Sequence, residues 1–320
     1  MSQSVPNLAS LALHFRETLE ERRFVLIYAH NATGKTRLSM EFKNVGKVAG
    51  GRDTLYFNAF TEDLFFWNND LETDRDRKLI LNSESHFFDG LAELEMDNRI
   101  RPLLQRYVDF DFRIDTDEWV VRFFRPDAPD QNIKVSRGEE NIFVWCFFLA
   151  IVQLAMDGAE AYDWVKFVYI DDPISSLDEH NAVTVGNHLA SFLARKDHEI
   201  RTVISSHHSL FFNVMWNEIR RIDRKFAPCL LSRSRQTGEF DVAYTGDTPF
   251  FHHLALLQDL WQAKETGQVY THHFHSLRSL LEKSSIFHGH NDFAACIKRE
   301  EDDPDSTLYG RLVNFLSHGN

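Results

Sequence analysis

Three short apolar runs, each ending in polar residues, set the frame of the chain: 24–28 (Phe-Val-Leu-Ile-Tyr), 167–170 (Phe-Val-Tyr-Ile) and 200–208, whose apolar part is followed by Ser-Ser-His-His. β-Branched and aromatic runs of this length, apolar on both faces, are the pattern of strands inside a parallel sheet. A further strand is predicted over 54–58. Apolar residues recur at helical spacing over 8–21, 37–42, 91–107, 141–156 and 179–195. Residues 43–53 read as a linker. Polar and apolar positions alternate over 109–125 as in a hairpin. Residues 218–247 read as two short strands with the basic segment Arg220-Arg-Ile-Asp-Arg-Lys225 between them. Past 247–249 (Asp-Thr-Pro) the periodicity becomes helical, over 250–264, 270–287 and 306–317. The pattern predicts an α/β domain over 1–250 with a compact insertion at about 63–118, then a small, mostly α-helical domain over 251–320.

Chemistry enters where the strands end. The first runs into Ala29-His-Asn-Ala-Thr-Gly-Lys-Thr36, a phosphate loop in which alanine replaces the usual first glycine. The loop needs backbone N–H groups around phosphates, a lysine on the β and γ phosphates and a hydroxyl on Mg²⁺. Asn31, Ala32, Thr33, Gly34, Lys35 and Thr36 supply these, because Ala29 removes no donor. The second run ends in Asp171-Asp172, then Pro-Ile-Ser-Ser-Leu-Asp178. Paired carboxylates past a strand end suit a hard cation and an attacking water. Val135-Ser-Arg-Gly-Glu-Glu140 opens an apolar helix. Ser136 with Glu139 reads as a capping box. Lying between the phosphate loop and the Asp-Asp strand, the segment also resembles the signature of ABC-type ATPases, which implies that Ser136, Arg137, Gly138 and Glu139 take the nucleotide of a facing subunit.

The order of phosphate loop, signature, Asp-Asp strand, Asp178 and a histidine past the third strand resembles an ABC-type ATPase. This implies a P-loop NTPase head with a mixed, largely parallel sheet, binding ATP or GTP with Mg²⁺ between two heads. Thr36 and Asp171 are then the metal residues. Asp172 stands where a glutamate usually positions water, and His207 is the switch histidine, with His208 beside it. Asn58 and Glu62 are candidates for the missing Mg²⁺-sensing glutamine, against a purely packing role. Too few residues separate Lys35 from Ser136 for a long coiled-coil arm.

Composition narrows the rest. With 35 Lys+Arg against 48 Asp+Glu the chain carries a net charge of −13, so any nucleic-acid contact has to be local or built on assembly. Three scattered cysteines show no metal or disulfide spacing. The N-terminus lacks signal-peptide features, and no uninterrupted apolar run approaches a membrane span. The expected location is cytoplasmic.

The segments 171–178, 135–140 and 55–67 closely resemble the PrrC family of anticodon nucleases, over nearly the whole chain. The family's ribonuclease constellation is an Arg-x-x-x-Glu helix followed by a histidine. Arg278 and Glu282 match the first two, and His318 in the last predicted helix the third, with His288 and His290 as competitors. Without the resemblance, Arg278 and Glu282 would be an ordinary i,i+4 salt bridge. A zinc site from the tail's histidines finds no supporting spacing. The resemblance implies metal-independent cleavage of a tRNA anticodon loop, that of a lysine tRNA, leaving 2′,3′-cyclic phosphate and 5′-OH ends. It also implies antiphage defence, a homodimer or higher homo-oligomer formed through the heads, and silencing by a type I restriction–modification complex. The family's chains continue further, so a truncated C-terminus is expected. The alternative is an ABC-type sensor subunit that regulates a separate effector.

Overall fold

The computed structural model describes residues 2–318 except 48–50, 59–60, 62–63, 69–77, 89–93, 174–178, 196, 235–236, 246–251, 291 and 298–306. The chain forms two compact units, 1–250 and 251–320.

The first unit is built on a seven-stranded sheet of order β1-β12-β11-β2-β10-β9-β3. Its centre holds β2 (Phe24–Tyr28), β9 (Phe167–Asp171) and β10 (Arg201–Ser206), flanked by β3 (Thr54–Phe57) and β11 (Ala227–Arg233). These five are mutually parallel. β12 (Phe240–Tyr244) and β1 (Ser2–Val5) add antiparallel at one edge. All five β2 residues are buried, as a strand covered on both faces requires. Helix α1 (Leu8–Glu21) is capped by the Asn7 side chain and buries Leu11, Ala12, Phe15 and Leu19, one stripe at helical spacing. Helix α2 (Lys35–Val45) packs against it. Arg16 locks α1 to this layer, pairing with Asp53 at 2.7 Å and donating to the Phe42 carbonyl.

A second, antiparallel sheet holds β4 (Phe65–Asn68), β5 (Lys78–Leu81), β7 (Val120–Arg125) and β6 (Asp111–Asp115), in that order. β8 (Ala128–Ile133) shares the β5 edge of β7. The 109–125 hairpin is therefore β6–β7. The predicted insertion boundary at 118 falls inside a sheet that runs on to Ile133. The predicted 91–107 helix is shorter, α3 (Met96–Leu104).

Helix α4 (Arg137–Met156) is apolar all round and almost wholly buried. Phe57, Phe65, Phe112 and Phe123 pack edge-on against its Trp145, Phe143 and Phe147. Much of the chain's phenylalanine is spent here, in edge-to-face contacts. Among the described residues α4 alone is long and apolar enough to cross a membrane, and it lies inside the fold.

Helices α5 (Glu179–Leu193) and α6 (Ser209–Ile222) pack together. A Cβ on Gly186 would sit 2.9 Å from Val214 Cγ1, so only glycine permits this approach. Helix α6 corrects the reading of 218–247: its end holds Arg220 and Arg221, and the two strands come after the basic segment, not on either side of it.

The second unit contains α7 (His252–Thr266), α8 (Thr271–Phe287) and α9 (Thr307–His318), with a short 3₁₀ turn over Phe293–Cys296. Both α7 and α9 pack on α8.

Candidate functional site

The nucleotide site assembles at the carboxyl ends of β2, β9 and β10. Past Tyr28 the chain turns through Ala32 and Gly34, both in left-handed backbone (φ 64° and 105°). Glycine takes this freely, whereas Ala32 stores on the order of 1 kcal/mol. The turn starts α2 at Gly34 with no side-chain cap, so the helix's first amide donors and positive dipole end face the loop. Asn31 and Ala32 are exposed on this loop and Thr33 is buried beneath it.

Lys35 is almost buried and donates to the carbonyls of Ala29 (3.2 Å) and His30 (3.3 Å). Its ammonium pairs with Asp172 Oδ2 at 3.2 Å. Thr36 Oγ1 donates to Asp171 Oδ2 at 2.7 Å, and Ser205 Oγ donates to Asp171 Oδ1 at 2.6 Å. Burial, with the charge of Asp172 adding to it, pushes the Asp171 carboxyl up to about 6 despite both hydroxyl bonds. A hydroxyl beside a buried carboxylate is a hard-oxygen donor set that suits Mg²⁺, and a cation there offsets the penalty of the buried charge. The residues present therefore fit a Mg²⁺-bound nucleotide, which Thr36 and Asp171 could hold.

Asp172 adopts left-handed backbone, φ 47°, which aspartate tolerates better than most residues. Its Oδ1 accepts from the His207 backbone N–H (2.8 Å) and ring Nδ1 (2.9 Å). Burial opposes its charge, but the His207 bonds and the Lys35 ammonium hold the carboxyl below its ordinary value. Of the two adjacent histidines, His207 meets the carboxylate, and His208 caps α6 by accepting from Phe211 N–H. Asp178 lies outside the described residues.

Ser136 and Glu139 form a complete capping box on α4. Arg137 is exposed, and a Cβ on Gly138 would meet nothing within 4 Å. The segment is thus an open, capped helix start. Asn58 is fully buried and donates to Ser39 Oγ at 2.9 Å, so it braces α2 from behind. Glu62 lies outside the described residues. Sequence reading missed Ser205; the polar Ser205-Ser-His-His208 run at a strand end was the available signal. It also missed Tyr28, whose hydroxyl burial and the Asp172 charge push up to about 12.

In the second unit, Arg278 Nε donates to Glu282 Oε1 at 2.7 Å along α8. The guanidinium also lies over the Phe293 ring, 5.9 Å from its centroid. Phe293 thus restricts the guanidinium from the side, and Glu282 from the next turn. His318 ends α9, the helix packed on α8, and its side chain lies outside the described residues. His288 caps the end of α8, and its ring centroid is 6.3 Å from that of His290. Asp259, His272 and His273 cluster closely enough to hold a metal. However, His273 Nδ1 accepts the Tyr270 N–H at 2.9 Å. The ring's proton then sits on Nε2, which faces Asp259 Oδ2 at 3.6 Å and cannot also coordinate a metal. His273 serves as a helix cap.

The parallel sheet, the phosphate turn and the carboxylate pair together define a P-loop ATPase head. A family model for an AAA domain matches residues 93–280. An anticodon nuclease of Escherichia coli is 33% identical over 92% of this chain and 81% of its own length. The chain belongs to the anticodon nuclease family and is an enzyme. Similar solved structures include an Smc head bound to the C-winged helix domain of ScpA, 10% identical over 71% of this chain and 91% of that one, TM-score 0.40. The SMC head domain from Thermotoga maritima is 12% identical over 69% and 90%, TM-score 0.37.

Proposed function

We propose that the protein is a nucleotide-switched endoribonuclease that cuts a tRNA anticodon loop, that of a lysine tRNA, in antiphage defence. The observation that carries this is the Arg278–Glu282 pair on one helix face, in a chain of the anticodon nuclease family. Strand cleavage through the 2′-OH needs a base for that proton, an acid for the leaving 5′-oxygen and a cation for the crowded phosphate. Arg278 stabilises the phosphate's developing charge. Glu282 and His318 divide the two proton transfers. The 2′-oxygen bonds to phosphorus as the bond to the 5′-oxygen breaks, so the ends are a 2′,3′-cyclic phosphate and a 5′-OH, with no metal required.

The head supplies the switch. Lys35 and the amides of the loop take the phosphates of ATP or GTP. Thr36 and Asp171 would hold Mg²⁺, which would supply charge neutralisation at the nucleotide's phosphates. Asp172, oriented by His207 and Lys35, holds the attacking water. One methylene shorter than glutamate, it makes hydrolysis slow, which suits a switch. The signature residues Ser136, Arg137, Gly138 and Glu139, with Asp178, complete the site of a second head in a homodimer or larger homo-oligomer. The setting is cytoplasmic, and a type I restriction–modification complex keeps the enzyme silent until infection. The test is tRNA cleavage by Arg278→Ala and Glu282→Gln: both lose cutting while nucleotide hydrolysis persists. Retained cutting in either would remove the assignment.

A further inference from the structure

A cleft of about 440 Å³ opens between the ends of α1, α6, β11 and β12, lined in part by Thr18, Arg22, Arg220, Arg224 and Tyr244. It lies away from the nucleotide loop. Leu8, at the start of α1, is the neighbour of Gly34, whereas Thr18 and Arg22, at the other end of that helix, line the cleft. Three arginines and one acidic residue, Glu21, line it, with the Arg220 guanidinium stacked 4.8 Å from the Trp216 ring centroid. Lys225 is exposed beside it, and its carbonyl accepts from Arg22 Nη1 at 3.2 Å. This is a local reversal in a chain of net charge −13.

Helix-end stabilisation explains only part of the cluster. Arg220 and Arg221 occupy the last turn of α6, where cations complement the dipole, and Arg221 pairs with Glu218 at 2.7 Å. Arg224 and Lys225 lie beyond that helix, and Arg22 comes from a different one. Their convergence on one opening needs another reason. Guanidiniums spaced along a cleft match successive phosphate oxygens. Tyr244 is also the last residue of the head's final strand, shortly before the chain enters the nuclease unit.

We propose that this cleft is a docking site for the sugar–phosphate backbone of the RNA substrate, with Arg22, Arg220 and Arg224 as its anchors. The proposal rests on the tRNA reading above. It reconciles an acidic protein with a polyanionic substrate by confining the contact to one patch.

The test is fluorescence-anisotropy binding of labelled lysine tRNA to the full chain across a salt series. The proteins are wild type, Arg220→Ala/Arg224→Ala, Arg220→Lys/Arg224→Lys, and Arg113→Ala as a basic residue elsewhere. Loss of two phosphate contacts predicts affinity about 10-fold weaker and a log–log salt slope shallower by about 1.5–2. The lysine pair and Arg113→Ala keep the wild-type slope. Melting temperatures confirm that the variants fold. Wild-type binding with an unchanged slope in the alanine pair overturns this proposal and leaves the tRNA reading standing. If the wild type neither binds nor cuts tRNA, both fall. Displacement of tRNA from the wild type but not the alanine pair by millimolar phosphate supports the cleft.

Discussion

Asp172 and His207 are joined twice through one oxygen, Asp172 Oδ1, which accepts both the backbone N–H and the ring Nδ1 of the histidine. The two residues follow neighbouring parallel strands, β9 and β10. The pairing therefore fixes the carboxylate relative to the sheet, while its other oxygen faces Lys35. Asp172→Asn removes the charge that pairs with Lys35 and that is proposed to orient water. Hydrolysis is expected to fall by about 100-fold or more, with nucleotide affinity changed only a few-fold. A single-turnover assay beside equilibrium binding separates the two, and undiminished hydrolysis would remove Asp172 from its assigned role.

Ser136 has a capping role and a proposed nucleotide role, and the two are separable. As N-cap of α4 it accepts from Glu139 N–H, and Ser136→Ala is expected to cost about 1 kcal/mol. Aspartate caps equally well but places an anion where a facing head's γ-phosphate is proposed to bind. Ser136→Asp should therefore keep the melting temperature and lose nucleotide-driven association in analytical ultracentrifugation. Full association by Ser136→Asp would make the segment a cap alone.

Arg278 is positioned by Glu282 and Phe293. Lysine keeps the charge but loses the planar fork that both contacts use. Arg278→Lys is expected to lower the rate of tRNA cutting by about 100-fold, with little change in tRNA affinity. A loss confined to affinity would recast Arg278 as a binding residue.

His188 reports on packing between α5 and the end of the α3 segment. Tyr107 Oη and His188 Nδ1 share a hydrogen bond of 2.5 Å, and burial, helped by Arg106, pushes the imidazole down to about 4. The unfolded chain takes a proton here below about 6.5, while the folded protein refuses it until about 4. His188 thus subtracts stability as pH falls through that window and nothing at pH 7. His188→Asn should melt about 2–4 °C closer to its own pH 7 value at pH 4.5 than the wild type does. Parallel curves would show that His188 does not titrate on unfolding.

What the sequence disclosed follows from where its signals are local. The runs ending at Tyr28, Asp171 and Ser206 each carry a β-prone apolar stretch, so each was legible as a buried strand, with the polar residues at or past its end as a site. Helix α6 was passed over, although Phe211, Phe212, Met215, Trp216 and Ile219, its buried face, stand at clear helical spacing. The strand-like residues after it drew the boundary too early. β1 was not legible, because Ser2-Gln-Ser-Val5 carries no pattern and exists only through pairing with β12. β8 is polar for the same reason. Ser205 on Asp171 and Asn58 on Ser39 are tertiary contacts, 34 and 19 residues apart in sequence, which no local spacing encodes.

The most direct measurement maps the ends of total tRNA after incubation with the purified protein, with and without ATP or GTP, beside Arg278→Ala, His318→Ala and Asp172→Ala. The account predicts a nick in one anticodon loop bearing cyclic-phosphate ends. That nick requires nucleotide, disappears in Arg278→Ala and His318→Ala, and changes in its nucleotide dependence in Asp172→Ala. Cutting that ignores nucleotide, or that survives both nuclease substitutions, would contradict it.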